Sequence, residues 1–232
     1  MTRELTTDLS MLERLIEPYG NEILDVGCGS GALARALSAG GTRVVGVEIS
    51  ERQLADAIAR DGGSGARYLV GCAQNLPLDD ASADVVVFMR SLHHVPSGEL
   101  VPALREARRV LRPGGAVVVV EPLAQGDYYV LTSLIEDELE ARTATQLALA
   151  QAALAGLERA VTIDYDVRLC IADLDALRAR VVSVDPNRAE LFGRRRAEIE
   201  EAFQRLGEPG GQPGERCYVQ TMRADLLRPA AT

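Results

Sequence analysis

Two hydrophobic patterns alternate along the first half of the chain. Short and nearly continuous apolar runs are typical of strands that a sheet buries on both faces. These runs are 23–26, 43–48, 66–71, 83–89 and 116–121. The segments between them carry apolar residues at helical spacing, most clearly over 99–112. Strands that alternate with helices in this way predict a parallel, doubly wound sheet.

Capping residues and glycines mark where several helices begin and end. Apolar residues at helical spacing predict a first helix over 8–19, which Pro18 would stop. A second helix over 32–41 ends at two glycines, which favour helix C-termini. Ser50 opens another helix, with Gln53 three residues later in a capping-box arrangement.

The pattern changes after residue 122. Residues 128–157 are predicted to be mostly helical, and 160–171 alternate like a strand. Residues 186–206 predict one amphipathic helix, and 216–227 predict the last strand. The whole pattern predicts an α/β fold, with a Rossmann-like, doubly wound, mostly parallel sheet of seven strands and helices on both faces.

Composition and charge exclude several classes of function. The 232 residues are 47% hydrophobic and 25% charged, as in an ordinary globular protein. The net charge of −9 argues against nucleic acid as a partner. No apolar run reaches the roughly 18–20 residues that span a bilayer. The N-terminal "MTRELTTDLS" lacks a secretory pattern. We therefore expect a cytoplasmic protein that binds neither nucleic acid nor membrane.

The cysteine pattern argues against a metal site. The four cysteines are Cys28, Cys72, Cys170 and Cys217. No two of them form a CxxC pair, so a zinc or redox motif is not expected. Free thiols in a reducing cytoplasm are the prediction for all four.

A glycine-rich loop follows the first buried strand and opens a helix. Gly27, Gly29 and Gly31 alternate in it, and without Cβ atoms they let a ligand approach the backbone. The helix start offers free N–H groups to a carboxylate or phosphate. Asp25 precedes the loop, and Glu48 ends the next strand, where an acid can accept both hydroxyls of a ribose. Dinucleotide enzymes use G-x-G-x-x-G, whereas this loop is G-x-G-x-G, which disfavours NAD.

The only two histidines, His93 and His94, lie side by side after the fourth strand. In doubly wound sheets, ligands bind beyond the carboxyl ends of the strands. Glu121 ends the fifth strand. A histidine and a carboxylate from neighbouring strand ends can form a general base and the group that orients it. The alternative is that the histidines cap or pack under the next helix.

Five motifs in fixed order resemble one enzyme family. They are "ILDVGCGSGALARAL", "VVGVEIS", "CAQNLPLDDASADVVVF", "SLHHV" and "EARRVLRPGGAVVVVEP". Together they resemble class I S-adenosylmethionine-dependent methyltransferases, in particular the small-molecule branch of quinone-biosynthesis and antibiotic-tailoring enzymes. The resemblance covers about residues 20–122. It implies S-adenosylmethionine as cofactor. Because the sequence shows no internal repeat or long linker, we predict a single domain over 1–232. That domain comprises an N-terminal helix (1–20), a cofactor-binding core (21–122) and a substrate side (123–232).

The resemblance also implies roles for individual residues. The implied cofactor-binding residues are Asp25, Gly27, Cys28, Gly29, Gly31, Glu48, Ile49, Gln53, Cys72, Ala73, Gln74 and Arg90. Asp25 would bind the methionine amino group, Glu48 the ribose hydroxyls, and Ile49 one adenine face. Many relatives have an aspartate in place of Cys72, and that acid takes the adenine amino group. Arg90 would lie near the methionine end or the substrate, or would form a salt bridge at the pocket rim.

The predicted function is methyl transfer to a small molecule, with oxygen as the favoured acceptor and with His93, His94 and Glu121 as the candidate catalytic groups. Residues 123–157 and 172–206 are predicted to form a helical cover over the substrate. One alternative keeps the cofactor but catalyses a cyclisation or rearrangement. Another is a partner protein without turnover, which the intact loop disfavours. The sequence does not determine the substrate or the oligomeric state.

Overall fold

A computed structural model describes residues 3–17, 20 and 22–230 of the chain. Its strands are β1 (Glu4–Leu5), β2 (Glu22–Val26), β3 (Arg43–Glu48), β4 (Arg67–Val70), β5 (Ala83–Met89), β6 (Leu111–Pro122), β7 (Leu157–Ile171), β8 (Glu208–Pro209) and β9 (Arg216–Pro229). Its α-helices are α1 (Asp8–Ile16), α2 (Ala32–Ala39), α3 (Glu51–Ala59), α4 (Leu100–Val110), α5 (Asp127–Ser133), α6 (Leu139–Ala150), α7 (Leu174–Val184), α8 (Arg188–Arg194) and α9 (Arg196–Leu206). The predicted stop of the first helix at Pro18 lies outside the described residues.

The chain divides into two compact units, each built from three segments. The core unit comprises Asp8–Glu121, Ala141–Ile163 and Arg223–Thr232. The helical unit comprises Met1–Thr7, Pro122–Glu140 and Asp164–Met222. The single-domain organisation stays a prediction.

The core unit holds the predicted parallel sheet. Strands β2, β3, β4, β5 and β6 are all parallel to their neighbours, in the order β6-β5-β2-β3-β4, and β9 follows β6. The predicted α/β class is confirmed, and β3 and β5 have the predicted bounds. The described residues form nine strands rather than seven. The two additional strands, β1 and β8, have two residues each, too few to produce a hydrophobic pattern.

Burial explains why the strands of the core unit are apolar throughout. Val85 to Phe88 of β5 and Ala116 to Val120 of β6 are all fully buried. Helix α4 packs one apolar stripe against this core, and Pro102 lies in its first turn, where a missing N–H costs no hydrogen bond. Ser50 caps α3, as predicted, by accepting the backbone N–H of Gln53 at 3.4 Å.

The helical unit has its own aromatic core, in which Tyr128, Phe203 and Tyr218 are buried. The prediction of one helix over 186–206 is wrong, because α8 and α9 are separate helices. The break is at Arg195, whose guanidinium donates to the carbonyl of Leu134 at 2.6 Å and pairs with Glu198. The role of the helical segments as a substrate cover stays a prediction.

The prediction of four free thiols is wrong for two of them. Cys170 of β7 and Cys217 of β9 form a disulfide, 47 residues apart in sequence. The two strands are neighbours in the sheet, which brings the cysteines together. Cys28 and Cys72 are free. Of the helices described, none has the length and apolar character that crossing a membrane requires.

Candidate active site

All predicted site residues lie in the core unit, around the carboxyl ends of its parallel strands. The glycine loop joins β2 to α2. Gly27, Gly29 and Gly31 have φ values of +72°, +54° and +74°, which side chains with a Cβ rarely adopt. The backbone N–H of Gly27 donates to the carbonyl of Val47 in β3 at 2.8 Å. The loop is therefore held against the next strand by its own backbone.

Glu48, at the end of β3, ties this loop to the start of α3. One carboxylate oxygen accepts the N–H of Gly29 at 2.9 Å, and the other accepts the N–H of Ser50 at 2.9 Å. A carboxylate has about four acceptor positions, so further hydroxyl donors can bind to it. Next to it, Ile49 is 70% exposed, which is unusual for a large apolar side chain beside a buried strand. These two residues are suited to a ligand with hydroxyls and a flat apolar ring.

Asp25 is the most unusual group of the site. Its side chain is 1% exposed, and its Oδ2 atom has no hydrogen-bond partner among the described residues. Burial, and then the charge of Glu48, raise its pKa to about 7, against a hydrogen bond from the backbone of Ala34. A buried carboxyl oxygen without a donor is costly. A cationic amino group, such as that of the methionine part of S-adenosylmethionine, would satisfy it, so the residues fit that cofactor.

Cys28 sits inside the loop and stays a neutral thiol. Burial raises its pKa well above the ordinary range, and the nearby charges of Asp25 and Glu48 raise it further. The side-chain oxygen of Gln53 lies beside Gly29, where a Cβ on that glycine would be 3.0 Å from it. Cys28 is therefore a buried part of the loop, and Gln53 borders the loop at Gly29.

The segment after β4 carries the predicted adenine-side residues. Cys72, Ala73 and Gln74 are all partly buried in it. A tight turn connects Cys72 to Asn75, whose N–H donates to the Cys72 carbonyl at 3.1 Å. The Cys72 thiol points to the Asn75 carbonyl at 3.9 Å, so it takes part in this local turn.

The two histidines, which form a 3-10 turn after β5 with Leu92, have different environments. His93 is buried, and its Nδ1 atom is hydrogen-bonded to Oε2 of the buried Glu121. The other Glu121 oxygen accepts the N–H of Leu92 at 2.7 Å. His94 is exposed, and its ring centroid lies 4.0 Å from that of His93. The structure thus brings His93 and Glu121 together and leaves His94 beside them.

This geometry determines what His93 can do chemically. A proton on Nδ1, shared with a carboxylate, makes Nε2 the acceptor nitrogen of the neutral ring. The carboxylate also stabilises the imidazolium that forms when Nε2 takes a proton. The arrangement is that of a general base and the group that orients it.

Arg90 makes a contact that the sequence did not reveal. Its guanidinium pairs with Asp8 of α1 at 2.7 Å, which is the salt-bridged arrangement considered as the alternative to a ligand contact. Its φ of +54° is rare for a residue with a Cβ. Its N–H donates to the carbonyl of Val120 in β6 at 2.7 Å. Asp8 lies 82 residues away, and no local pattern marks it as a partner.

Ser91 was also missed by sequence reasoning. Its hydroxyl donates to the carbonyl of Val26 at 2.6 Å, and its methylene faces Gly27. The only sequence signal is its position, directly after a strand end and two residues before a histidine.

Comparisons with known proteins agree with this geometry. The family model described as "Methyltransferase domain" matches residues 24–119. The 27-O-demethylrifamycin SV methyltransferase of Amycolatopsis mediterranei (strain S699) is 35% identical over 169 residues, which cover 71% of this chain and 57% of that relative. The chain spans about half the length of the curated relatives it matches.

Solved structures share the fold. A crystal structure from Bacillus halodurans C-125, described as a candidate methyltransferase, has a TM-score of 0.65 at 22% identity, over 97% of this chain and 100% of that one. The [4+2]-cyclase SpnF has a TM-score of 0.55 at 20% identity, over 99% of this chain and 88% of that one. The family model, the curated relative and the fold agree: residues 24–119 match a methyltransferase domain, and the chain is similar to the class I S-adenosylmethionine-dependent methyltransferases.

Proposed function

We propose that this protein transfers a methyl group from S-adenosylmethionine to an oxygen atom of a small molecule, with His93 as the general base. The observation that carries the proposal is the buried pair of His93 and Glu121, at the carboxyl ends of β5 and β6. A histidine used only for packing does not need both oxygens of a buried carboxylate to hold it and its turn.

Three groups of the core unit are suited to hold the cofactor. Asp25 has an unsatisfied buried oxygen for the ammonium group, Glu48 has acceptor positions for ribose hydroxyls, and Ile49 has an exposed apolar face for the adenine ring. When bound, the cofactor would supply a methyl group activated by its positive sulfonium, and the neutral thioether S-adenosylhomocysteine would be the leaving group. The protein's own contribution is alignment and proton removal.

His93 performs the proton step. Its Nε2 accepts the proton of the substrate hydroxyl while the oxygen attacks, and the ring becomes an imidazolium. Glu121 holds Nδ1–H throughout, so the ring keeps its orientation and its new positive charge faces a carboxylate. General-base help of this kind contributes about 10²–10⁴ in rate.

Two considerations support oxygen as the acceptor. A hydroxyl must lose its proton on methylation, whereas an amine that is already neutral needs no base before it attacks. The relative named for 27-O-demethylrifamycin SV acts on oxygen by its name, and the resemblance makes hydroxylated natural products the first substrates to test.

Incubation with S-adenosylmethionine carrying a labelled methyl group tests the proposal. Phenols and polyketide alcohols would be offered with matched amines, and the products analysed by mass spectrometry. We expect label on oxygen, and much slower reaction by His93→Ala. Label on nitrogen or carbon with full activity of that variant would contradict the proposed acceptor and base.

The same experiment separates the second candidate function. One protein of this fold is named as a [4+2]-cyclase, so the fold hosts reactions other than methylation. A cyclisation or rearrangement would give a product of unchanged mass and no transfer of label.

We also propose that the protein works in the cytoplasm. Disulfides are rare in that compartment, so the Cys170–Cys217 bond provides a test. Alkylation of cell extracts would measure the redox state of both cysteines. Reduced thiols would support the proposal, and a fully oxidised pair would contradict it.

A further inference from the structure

We propose that Ser91 is a positioning residue, which holds the imidazole of His93 against Glu121 and connects it to the glycine loop. The inference rests on the proposed function, because Ser91 acts through the proposed base. Three groups of Ser91 each make a contact that supports the inference. They are its hydroxyl, its methylene and its carbonyl.

The hydroxyl connects the histidine turn to a different strand. Ser91 follows β5, but its Oγ–H donates to the carbonyl of Val26, the last residue of β2, at 2.6 Å. Val26 is 65 residues away and directly precedes Gly27. The start of the turn is therefore fixed to the strand that carries the glycine loop, as well as to its own strand.

The methylene of Ser91 packs directly on the loop. A Cβ built on Gly27 would lie only 2.6 Å from the Ser91 Cβ, closer than real side chains approach. A change in the backbone at Gly27 must therefore be accommodated by Ser91.

The carbonyl of Ser91 begins the turn that carries both histidines. It accepts the N–H of His94 at 3.1 Å, and the turn spans Leu92–His94. Within it, the N–H of Leu92 and the Nδ1–H of His93 both donate to Glu121. Ser91 and Glu121 thus hold the turn from two sides. Without the hydroxyl, the turn would lose its connection to β2, and we expect the imidazole to adopt more than one orientation.

The histidine content makes the proposal directly measurable. His93 and His94 are the only histidines, so NMR spectra of imidazole nitrogens report two side chains. We expect the wild type to show one sharp, slowly exchanging Nδ1–H signal from His93, assigned with His94→Gln. Ser91→Ala should lose or broaden that signal while remaining fully folded at the temperature of the measurement.

A matched control separates this effect from the loss of any hydroxyl. Ser82 donates to the carbonyl of Asp79 at 2.7 Å, a bond of the same kind that precedes β5 instead of following it. Ser82→Ala should keep the His93 signal, and Ser91→Thr, which restores a hydroxyl, should recover it at least in part. An unchanged signal in Ser91→Ala would overturn the positioning role.

A second pair of variants tests the contact with the loop without changing Ser91. Gly27→Ala and Gly41→Ala impose similar backbone strain, because both glycines have positive φ. A Cβ at Gly27 meets Ser91, whereas one at Gly41 meets nothing within 4 Å. We expect the first variant to shift the His93 signal and the second to leave it unchanged. Equal effects of the two variants would contradict the proposed connection.

S-adenosylhomocysteine then serves as the probe of the loaded site. In the wild type its binding should move the His93 signal, and in Ser91→Ala it should bind within about twofold of the wild-type affinity but leave that signal broad. Equal ligand-induced shifts in both proteins would overturn the connection. Failure of the wild type to bind this probe would overturn the proposed function and the connection to the loop, while the ligand-free spectra would still decide the role of Ser91 toward His93.

Discussion

Asp25 should make the stability of the ligand-free protein depend on pH in an unusual direction. Its pKa is raised from an ordinary 3.8 to about 7 by burial and by the charge of Glu48. The folded protein therefore binds this proton more tightly than the unfolded chain does, by about 4 kcal/mol. Below the unfolded pKa both states hold the proton, and above about 7 neither does. Between those values the free energy of unfolding falls as pH rises.

Replacement by asparagine isolates this contribution. Asp25→Asn keeps the shape and the hydrogen bond from Ala34 but cannot ionise. Between about pH 5 and about pH 8 the wild type should lose roughly 2–3 kcal/mol of stability relative to the variant. Urea unfolding of both ligand-free proteins across this range measures the difference. Any offset caused by the substitution itself does not vary with pH, so the slope carries the information.

Asp84→Asn is a control with the opposite sign. Burial raises the pKa of Asp84, but hydrogen bonds from Glu22 and Arg112 outweigh it and lower the pKa overall. Its ionised form therefore stabilises the fold, and that stabilisation is present above the unfolded pKa and is lost as pH falls. If the Asp25→Asn and wild-type curves run parallel from pH 5 to pH 8, then Asp25 is ionised at neutral pH and the reasoning about its unsatisfied oxygen is wrong.

Three further predictions concern the cofactor, the base and the disulfide. Glu48→Ala should weaken binding of S-adenosylhomocysteine by about 1.5–3 kcal/mol, the range for hydrogen bonds to a charged group. Calorimetry measures this affinity, and an unchanged value would show that Glu48 does not bind the cofactor. His93→Ala should slow methyl transfer by about 10²–10⁴ without a matching loss of cofactor affinity. His94→Ala should retain most of its turnover. Equal effects of the two variants would refute the assignment of His93 as the base. Reduction of the Cys170–Cys217 bond, which closes a loop of 47 residues, should lower the free energy of unfolding by about 4 kcal/mol. The double Cys→Ser variant should not respond to reductant, and a wild type that is equally indifferent would show that the bond does not stabilise the fold.

The sequence alone determined the main elements of the core unit and their order. The bounds of β3 and β5 follow from their apolar runs, because a strand buried on both faces carries few polar residues away from its ends. The glycine loop and the location of the histidines at strand ends are equally local signals. The position of Ser50 as a helix cap could be predicted for the same reason, since capping joins residues three apart.

The break between α8 and α9 shows where local patterns fail. Phe192, Ile199 and Phe203 are buried, as one amphipathic helix over 186–206 requires. The helix is interrupted at Arg195, whose guanidinium donates to the carbonyl of Leu134, 61 residues earlier in the chain. Helical periodicity carries no information about such a partner.

Only the tertiary structure decided which of two adjacent histidines meets the carboxylate. His93 and His94 are chemically identical and one residue apart, and the turn that Ser91 begins directs the first toward Glu121 and leaves the second exposed. The partners of Arg90 and of Cys170 could likewise not be predicted from local sequence patterns, because they lie 82 and 47 residues away. Hydrophobic periodicity reports the burial of each residue within its own element. Pairing between distant residues depends on how the sheet orders its strands, which no short stretch of sequence encodes.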